Sequence, residues 1–127
     1  MAKPFTLRWV TIGNGRLTLL HYPGRHAFSQ LRQQGCDRIV TLLVAEQGGP
    51  AFGEAAQRSG LLWTWLPIKN GKWPPDEVAA AILAELPRIS AQLDAGESIL
   101  IHCNAGIHRT GMVAYALLRL LKRRRWS

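Results

Sequence analysis

Apolar and polar positions along the chain alternate between the period of a strand and that of a helix. Residues 5–10 and 16–21 have the length of short strands and are separated by Gly13-Asn14-Gly15, a turn sequence, so they predict an opening hairpin. Residues 27–34 carry a short helical pattern stopped by Gly35. The run 38–44 is almost continuously apolar and of strand length, as expected for a strand covered on both faces. A helix over 52–59 follows, with Gly60 as its stop, then a strand over 61–66 with Trp63 and Trp65 on one face. Residues 67–75 read as loop. From Asp76 to Leu93, apolar residues recur at Val78, Ile82, Leu86, Ile89 and Leu93, a helical spacing that Pro87 is expected to kink or divide. After Gly96 come a buried strand over 98–102, a loop beginning at Cys103, and a closing helix over 110–124. This alternation predicts an α/β fold with a mainly parallel central sheet flanked by helices.

Composition narrows the class. A chain of 127 residues fits one domain, 1–127, with a basic C-terminal end over 119–127. No apolar run is long enough to span a membrane, and the first residues lack the apolar stretch of a signal peptide, so a cytoplasmic protein is expected. Cys36 and Cys103 are too few for a disulfide framework, and no Cys/His cluster has zinc-site spacing, so neither metal nor cofactor is expected. The net charge is +8, but five of the sixteen basic residues fall between Arg119 and Arg125. Such a surface attracts anionic partners: phosphorylated protein, a small phosphomonoester, phosphoinositide, nucleotide or nucleic acid. Equally, cations at a helix end complement its dipole. Oligomeric state is not encoded in any pattern visible here.

The chemistry concentrates in His102-Cys103-Asn104-Ala105-Gly106-Ile107-His108-Arg109-Thr110-Gly111. A free thiol has a pKa of about 8.5, so a cysteine nucleophile requires surroundings that favour its thiolate. Cys103 follows an apolar strand and precedes a helix, so loop amides and the positive end of a helix dipole are expected to face its sulfur. The intervening residues Asn104 to His108 can curl round a tetrahedral anion, with Gly106 allowing close approach. Arg109 can then hold two phosphate oxygens at once, which a lysine cannot.

This run resembles the signature of the protein tyrosine and dual-specificity phosphatase superfamily. The likeness extends less strictly from the strand at Arg38 through Trp65-Leu66-Pro67-Ile68 to the closing helix, and is greatest to small dual-specificity members. The resemblance implies a phosphatase-like phosphate-binding loop between a strand and a helix. It also implies that Cys103 attacks phosphorus, that Arg109 clamps the phosphoryl group, and that water hydrolyses the phosphocysteine without a metal. On the same ground Thr110 is expected to stabilise the departing thiolate, and His102 to order the loop and tune the thiol.

The general acid departs from the pattern. Leu66-Pro67-Ile68-Lys69-Asn70-Gly71 resembles the dual-specificity acid loop, yet Asn70 holds its aspartate position and cannot donate a proton. Trp73-Pro74-Pro75-Asp76 resembles the Trp-Pro-Asp loop of tyrosine phosphatases with one extra proline, which offers Asp76 as the acid or, equally, as a helix N-cap. Glu46, after the Arg38 strand, is the third candidate. Trp73 is expected at the pocket mouth, and Trp63 and Trp65 between strand and helix. Cys36 precedes its strand whereas Cys103 follows one, which places them at opposite edges of a parallel sheet, beyond disulfide reach. No pattern assigns a function to His21 or His26, and the loop has no lysine of the kind phosphoinositide phosphatases carry there. The expected activity is hydrolysis of phosphomonoesters, phosphotyrosine or another aryl phosphate favoured. The alternatives are a phosphate-binding pseudophosphatase, or a phosphatase acting on a nucleotide, RNA end or inositol phosphate.

Overall fold

The structure, a computed structural model, describes residues 6–24, 26–69, 76–104 and 108–126, with the side chains of Val78, His108 and 123–126 excepted. Its elements are β1 (Val10–Ile12), β2 (Gly15–Leu20), α1 (Phe28–Gln33), β3 (Arg38–Thr41), a 3-10 turn (Ala45–Gln47), α2 (Gly49–Arg58), β4 (Leu62–Trp65), α3 (Asp76–Asp94), β5 (Ser98–His102) and α4 (His108–Trp126). The strands form one sheet in the order β1-β2-β5-β3-β4, with β1 antiparallel and all other pairings parallel.

The α/β class with a mainly parallel sheet is therefore as the alternation of periods predicts. The strand β5, Ser98-Ile99-Leu100-Ile101-His102, is buried at every position because it is paired on both edges and covered on both faces. Ile99 and Ile101 join the core under α3 and α4, with Val40, Ile89, Leu93, Val113 and Leu117. Leu100 points the other way, into the core under α1 and α2, with Leu31, Ile39, Phe52 and Ala56. At the N-terminal edge, Arg38 forks onto Glu97 at 2.7 and 3.2 Å and donates to Thr64 Oγ1 at 3.0 Å, tying the starts of β3, β4 and β5 together.

Several boundaries differ from the sequence expectation, each for a local reason. The hairpin forms, but its first strand is Val10–Ile12 rather than 5–10. The residues before it leave the sheet to cover the α1 layer: the Leu7 amide donates to Gln34 Oε1 at 2.7 Å and the Trp9 indole to the Gln34 carbonyl at 3.2 Å. The strand β3 ends at Thr41, although Leu42 still donates to the His102 carbonyl and accepts from the Ile68 amide. The helix α2 starts at Gly49, three residues early, because Gly48 in the left-handed region (φ 85°) turns the chain and Pro50 suits a first helical turn. The division expected at Pro87 does not occur: α3 is helical from Asp76 to Asp94, with Pro87 on its exposed side. The carbonyl that this proline leaves without an amide belongs to Leu83, an exposed residue, where water can serve it. Among the described residues no helix is long and apolar enough to cross a membrane.

Trp63 and Trp65 do share a face of β4, their rings 6.1 Å apart and nearly parallel, against α2. The helix approaches closely because Gly49 and Gly53, one turn apart, face them. A Cβ on Gly53 would lie 2.2 Å from the Trp63 ring. In an unconstrained helix Gly→Ala stabilises by about 1 kcal/mol. Gly53→Ala is expected to have the opposite sign, destabilising by roughly 1–3 kcal/mol as the overpacked ring is displaced, which urea denaturation will measure.

Candidate active site

Because β5 is central and parallel to both neighbours, its C-terminal end opens at the sheet edge where ligands of open α/β folds bind. His102 is the last strand residue, opposite Leu20 of β2 and Thr41 of β3, and Cys103 follows it. Alternation along the strand sends the two in opposite directions. The His102 ring enters the α1/α2 side, 4.6 Å from the Phe52 ring, whereas Cys103 packs with Ile101, Val113 and Leu117. The Cys103 side is 1% exposed.

Two side chains and one main-chain carbonyl fix the imidazole. Trp63 Nε1 donates to Thr41 Oγ1 at 2.7 Å, and that hydroxyl lies 2.8 Å from His102 Nε2. His102 Nδ1 lies 3.2 Å from the Cys103 carbonyl, which can only accept. The proton therefore sits on Nδ1, which donates to that carbonyl, and Nε2 accepts from the Thr41 hydroxyl. Both nitrogens are satisfied in the neutral ring, whereas a charged ring would turn the Thr41 hydroxyl into a double acceptor and send its hydrogen in search of another partner. Burial, opposed by the Cys103 carbonyl and aided by the positive charge of Arg109, pushes the His102 pKa down to about 4.

Arg109 and Thr110 lie in the first turn of α4, which begins at His108, two residues earlier than expected. The helix dipole therefore adds positive potential at this end. The Arg109 side chain is 3% exposed. Its Nη1 donates to Gln47 Oε1 at 2.8 Å and to the Ile68 carbonyl at 3.0 Å, while Nη2 is buried and has no hydrogen-bond partner among the described residues. Among those residues no carboxylate pairs with the guanidinium either. A buried cation held only by neutral acceptors is costly unless an anion completes it. The Thr110 hydroxyl is likewise buried without a partner among the described residues. This end of the sheet thus combines a thiol, a charge-unbalanced guanidinium, a hydroxyl and a helix N-terminus, a set suited to an oxyanion.

The sequence-derived residues divide as follows. His102, Cys103, Arg109 and Thr110 converge at the β5–α4 junction, with Asn104 exposed and its carbonyl accepting from the Tyr22 amide at 3.2 Å. Ala105, Gly106 and Ile107, the His108 side chain, Asn70 and Trp73 lie outside the described residues. Asp76 is exposed and opens α3, as an N-terminal acidic residue does. Glu46 is exposed on the 3-10 turn, and its neighbour Gln47 is the residue that reaches Arg109. Cys36 lies in the α1/α2 core before β3, its thiol pushed up to about 12 by burial. Sequence reasoning passed over Gln47, Thr41 and the hydrogen-bonding role of Trp63. Thr41 carried a signal, being a lone hydroxyl in a buried apolar run and so in need of a partner; Gln47 carried none.

A cysteine between the end of a central parallel strand and a helix whose first turn carries a buried arginine is the arrangement of the cysteine-based phosphatase fold. Residues 18–121 match the family described as "Polymorphic toxin system, DSP-PTPase phosphatase", and the chain belongs to that family. No curated protein matches it. Among solved structures, it is similar to kinase associated phosphatase with its catalytic cysteine replaced by serine (TM-score 0.79, 20% identity, covering 94% of this chain and 75% of that one). It is also similar to the Siw14 catalytic core (TM-score 0.63, 19% identity, 100% and 73%) and to Tk-PTP in the active form (TM-score 0.61, 19% identity, 88% and 81%). At these identities the likeness establishes the shared fold.

The neutral, buried His102 makes stability depend on pH with a definite sign. Its folded pKa lies below the unfolded value, so its contribution is full above about pH 6.5 and is lost as pH falls toward about 4. Between pH 7 and 4.5 the loss is expected to be roughly 2–3 kcal/mol. Urea unfolding at the two pH values, repeated on His102→Asn to subtract the carboxylates, checks it: the variant should lose less stability by about that amount.

Proposed function

We propose that the chain is a phosphatase that hydrolyses phosphomonoesters through a phosphocysteine intermediate, with phosphotyrosine or another aryl phosphate favoured. The observation that carries this reading is the Arg109 guanidinium, buried at the start of α4 with neutral acceptors on Nη1 and an Nη2 that has no partner among the described residues. A phosphate dianion supplies both the missing charge and the missing acceptors.

In the proposed reaction the Cys103 thiolate attacks phosphorus, an S–P bond forms, and the P–O bond to the leaving group breaks with its electron pair going to oxygen. Arg109 and the amides of the loop over 104–108 stabilise the equatorial oxygens throughout. Water then attacks phosphorus, the S–P bond breaks, and the Thr110 hydroxyl donates to the sulfur as it departs as thiolate. His102, fixed by Thr41 and Trp63, holds the Cys103 carbonyl and so the start of the loop. Asp76 is the proposed proton donor to the leaving oxygen, since Asn70 cannot serve, and its carboxylate then takes the proton of the attacking water. A donor at the exposed start of α3 gives weaker assistance than one held over the phosphate, and this is why aryl esters, whose leaving groups need less protonation, are favoured.

A second reading, a phosphate-binding pseudophosphatase, draws on Asn70 at the acid position; a third, a nucleotide, RNA-end or inositol phosphate substrate, draws on the +8 charge. Phosphate release from an aryl ester between pH 5 and 8 separates them. Turnover is expected in the unmodified chain and none in Cys103→Ser. Binding of phosphate without turnover in either would establish the pseudophosphatase, and faster release from a nucleotide or inositol phosphate would establish the third reading. An alkyl phosphate hydrolysed as fast as the aryl ester would overturn the preference. Asp76→Asn is expected to slow the first step by about 10²-fold or more and to flatten the basic limb of the pH profile; an unchanged profile rejects Asp76 as the acid.

A further inference from the structure

We infer that Gln47 is a positioning residue for the phosphate clamp, aiming Arg109 by fixing one of its nitrogens. This rests on the reading of Arg109 as that clamp. Gln47 ends the 3-10 turn after β3, where the Gln47 amide donates to the Val44 carbonyl at 3.0 Å and Gly48, in the left-handed region, closes the turn onto Ala45. Its side-chain Oε1 is held in return by the Val44 amide at 3.3 Å, so the acceptor is anchored to its own turn before it meets Arg109 Nη1 at 2.8 Å.

The second acceptor on the same nitrogen, the Ile68 carbonyl at 3.0 Å, belongs to the segment after β4. An Nη carries two hydrogens, and here both are used. A guanidinium is planar and rigid, so two acceptors from two different elements, both on Nη1, fix the plane and leave the direction of Nη2 as a consequence. That second nitrogen is buried and has no protein partner among the described residues. The half of this arrangement made by Ile68 is main chain; the half that a substitution can remove is Gln47.

The acceptor is also uncharged. Glu46, the carboxylate one position earlier, is exposed on the turn while Gln47 is turned inward. Among the described residues Arg109 is therefore oriented without being neutralised, and its charge remains for an anion. What the clamp requires from position 47 is a neutral acceptor at that place: an apolar side chain removes the bond, and a glutamate keeps the bond but brings the charge that the anion would otherwise supply.

The test measures inorganic phosphate binding by titration calorimetry and, on an aryl phosphate, kcat and KM, in Gln47→Leu, Gln47→Glu and Arg109→Lys, with thermal melting as a folding control. Loss of a hydrogen bond to a charged group predicts about tenfold weaker phosphate binding and about tenfold lower kcat/KM in Gln47→Leu, whereas Gln47→Glu, which keeps the bond as an ion pair, is expected to bind phosphate more weakly than the unmodified chain but to melt above Gln47→Leu. Arg109→Lys is expected to lose phosphate binding altogether. If Arg109→Lys loses binding while folded Gln47→Leu keeps it, the inference about Gln47 is overturned and the clamp stands. Gln47→Glu melting no higher than Gln47→Leu also overturns it, because position 47 would not then be in contact with the guanidinium. Phosphate binding retained in Arg109→Lys overturns the clamp reading itself. Should Gln47→Leu fail to fold, Gln47→Ala is measured against the same outcomes.

Discussion

A strand hydrogen-bonded along both edges and covered on both faces cannot shift by one residue without reversing every side chain it carries. In β5 that constraint is complete: β2 and β3 hold its edges in parallel register, Ile99 and Ile101 lie in one core, and Leu100 in the other. The register fixes more than packing. It sends His102 toward Phe52 and Cys103 toward Val113, so a ring and a thiol from adjacent residues are held on opposite sides of the sheet. The ring holds the Cys103 carbonyl from one side, and the thiol is buried on the other. Thr41 reaches His102 because the same register places them opposite each other.

The site then assembles from pieces far apart in sequence. Arg109 is delivered by the first turn of α4, Gln47 by the turn after β3, and the Ile68 carbonyl by the segment after β4. Each follows the C-terminal end of a parallel strand or, for α4, the loop that leaves one, so the topology alone brings them to one edge. The polarity of the two ends differs accordingly. The N-terminal edge closes its charges on itself, Arg38 against Glu97, whereas among the described residues the C-terminal edge leaves Arg109 without a carboxylate. The first end pairs its cation within the protein, and the second leaves its cation to neutral acceptors among the described residues.

How much of this the sequence revealed depended on whether a feature is local. The order of elements was legible because buried strands, helical spacing and glycine stops are written in consecutive residues. The Cys103-to-Arg109 run was legible for the same reason, its chemistry being compressed into one loop. Boundaries failed where tertiary contacts overrode the local pattern: Leu7 and Trp9 were claimed by Gln34 of α1 rather than by the sheet, and α3 passed through Pro87 because its exposed side tolerates the missing bond. Gln47 and the Trp63-Thr41-His102 chain were illegible because they join residues between 22 and 62 positions apart. Glu46, an acid candidate only by its place after the Arg38 strand, is turned out to solvent by the same 3-10 turn that brings Gln47 to Arg109.

The placement of the two cysteines bears on how the protein withstands oxidation. Cys36 lies in one core before the start of β3, and Cys103 in the other core beyond the end of β5. Along the strand direction they are separated by about six residues at roughly 3.3 Å each, far beyond the spacing of about 7 Å that a disulfide can bridge. A peroxide that converts the Cys103 thiolate to a sulfenic acid thus meets no second thiol of the same chain with which to condense. Recovery of the thiol falls to an external reductant, and in its absence the sulfur is open to further, irreversible oxygenation.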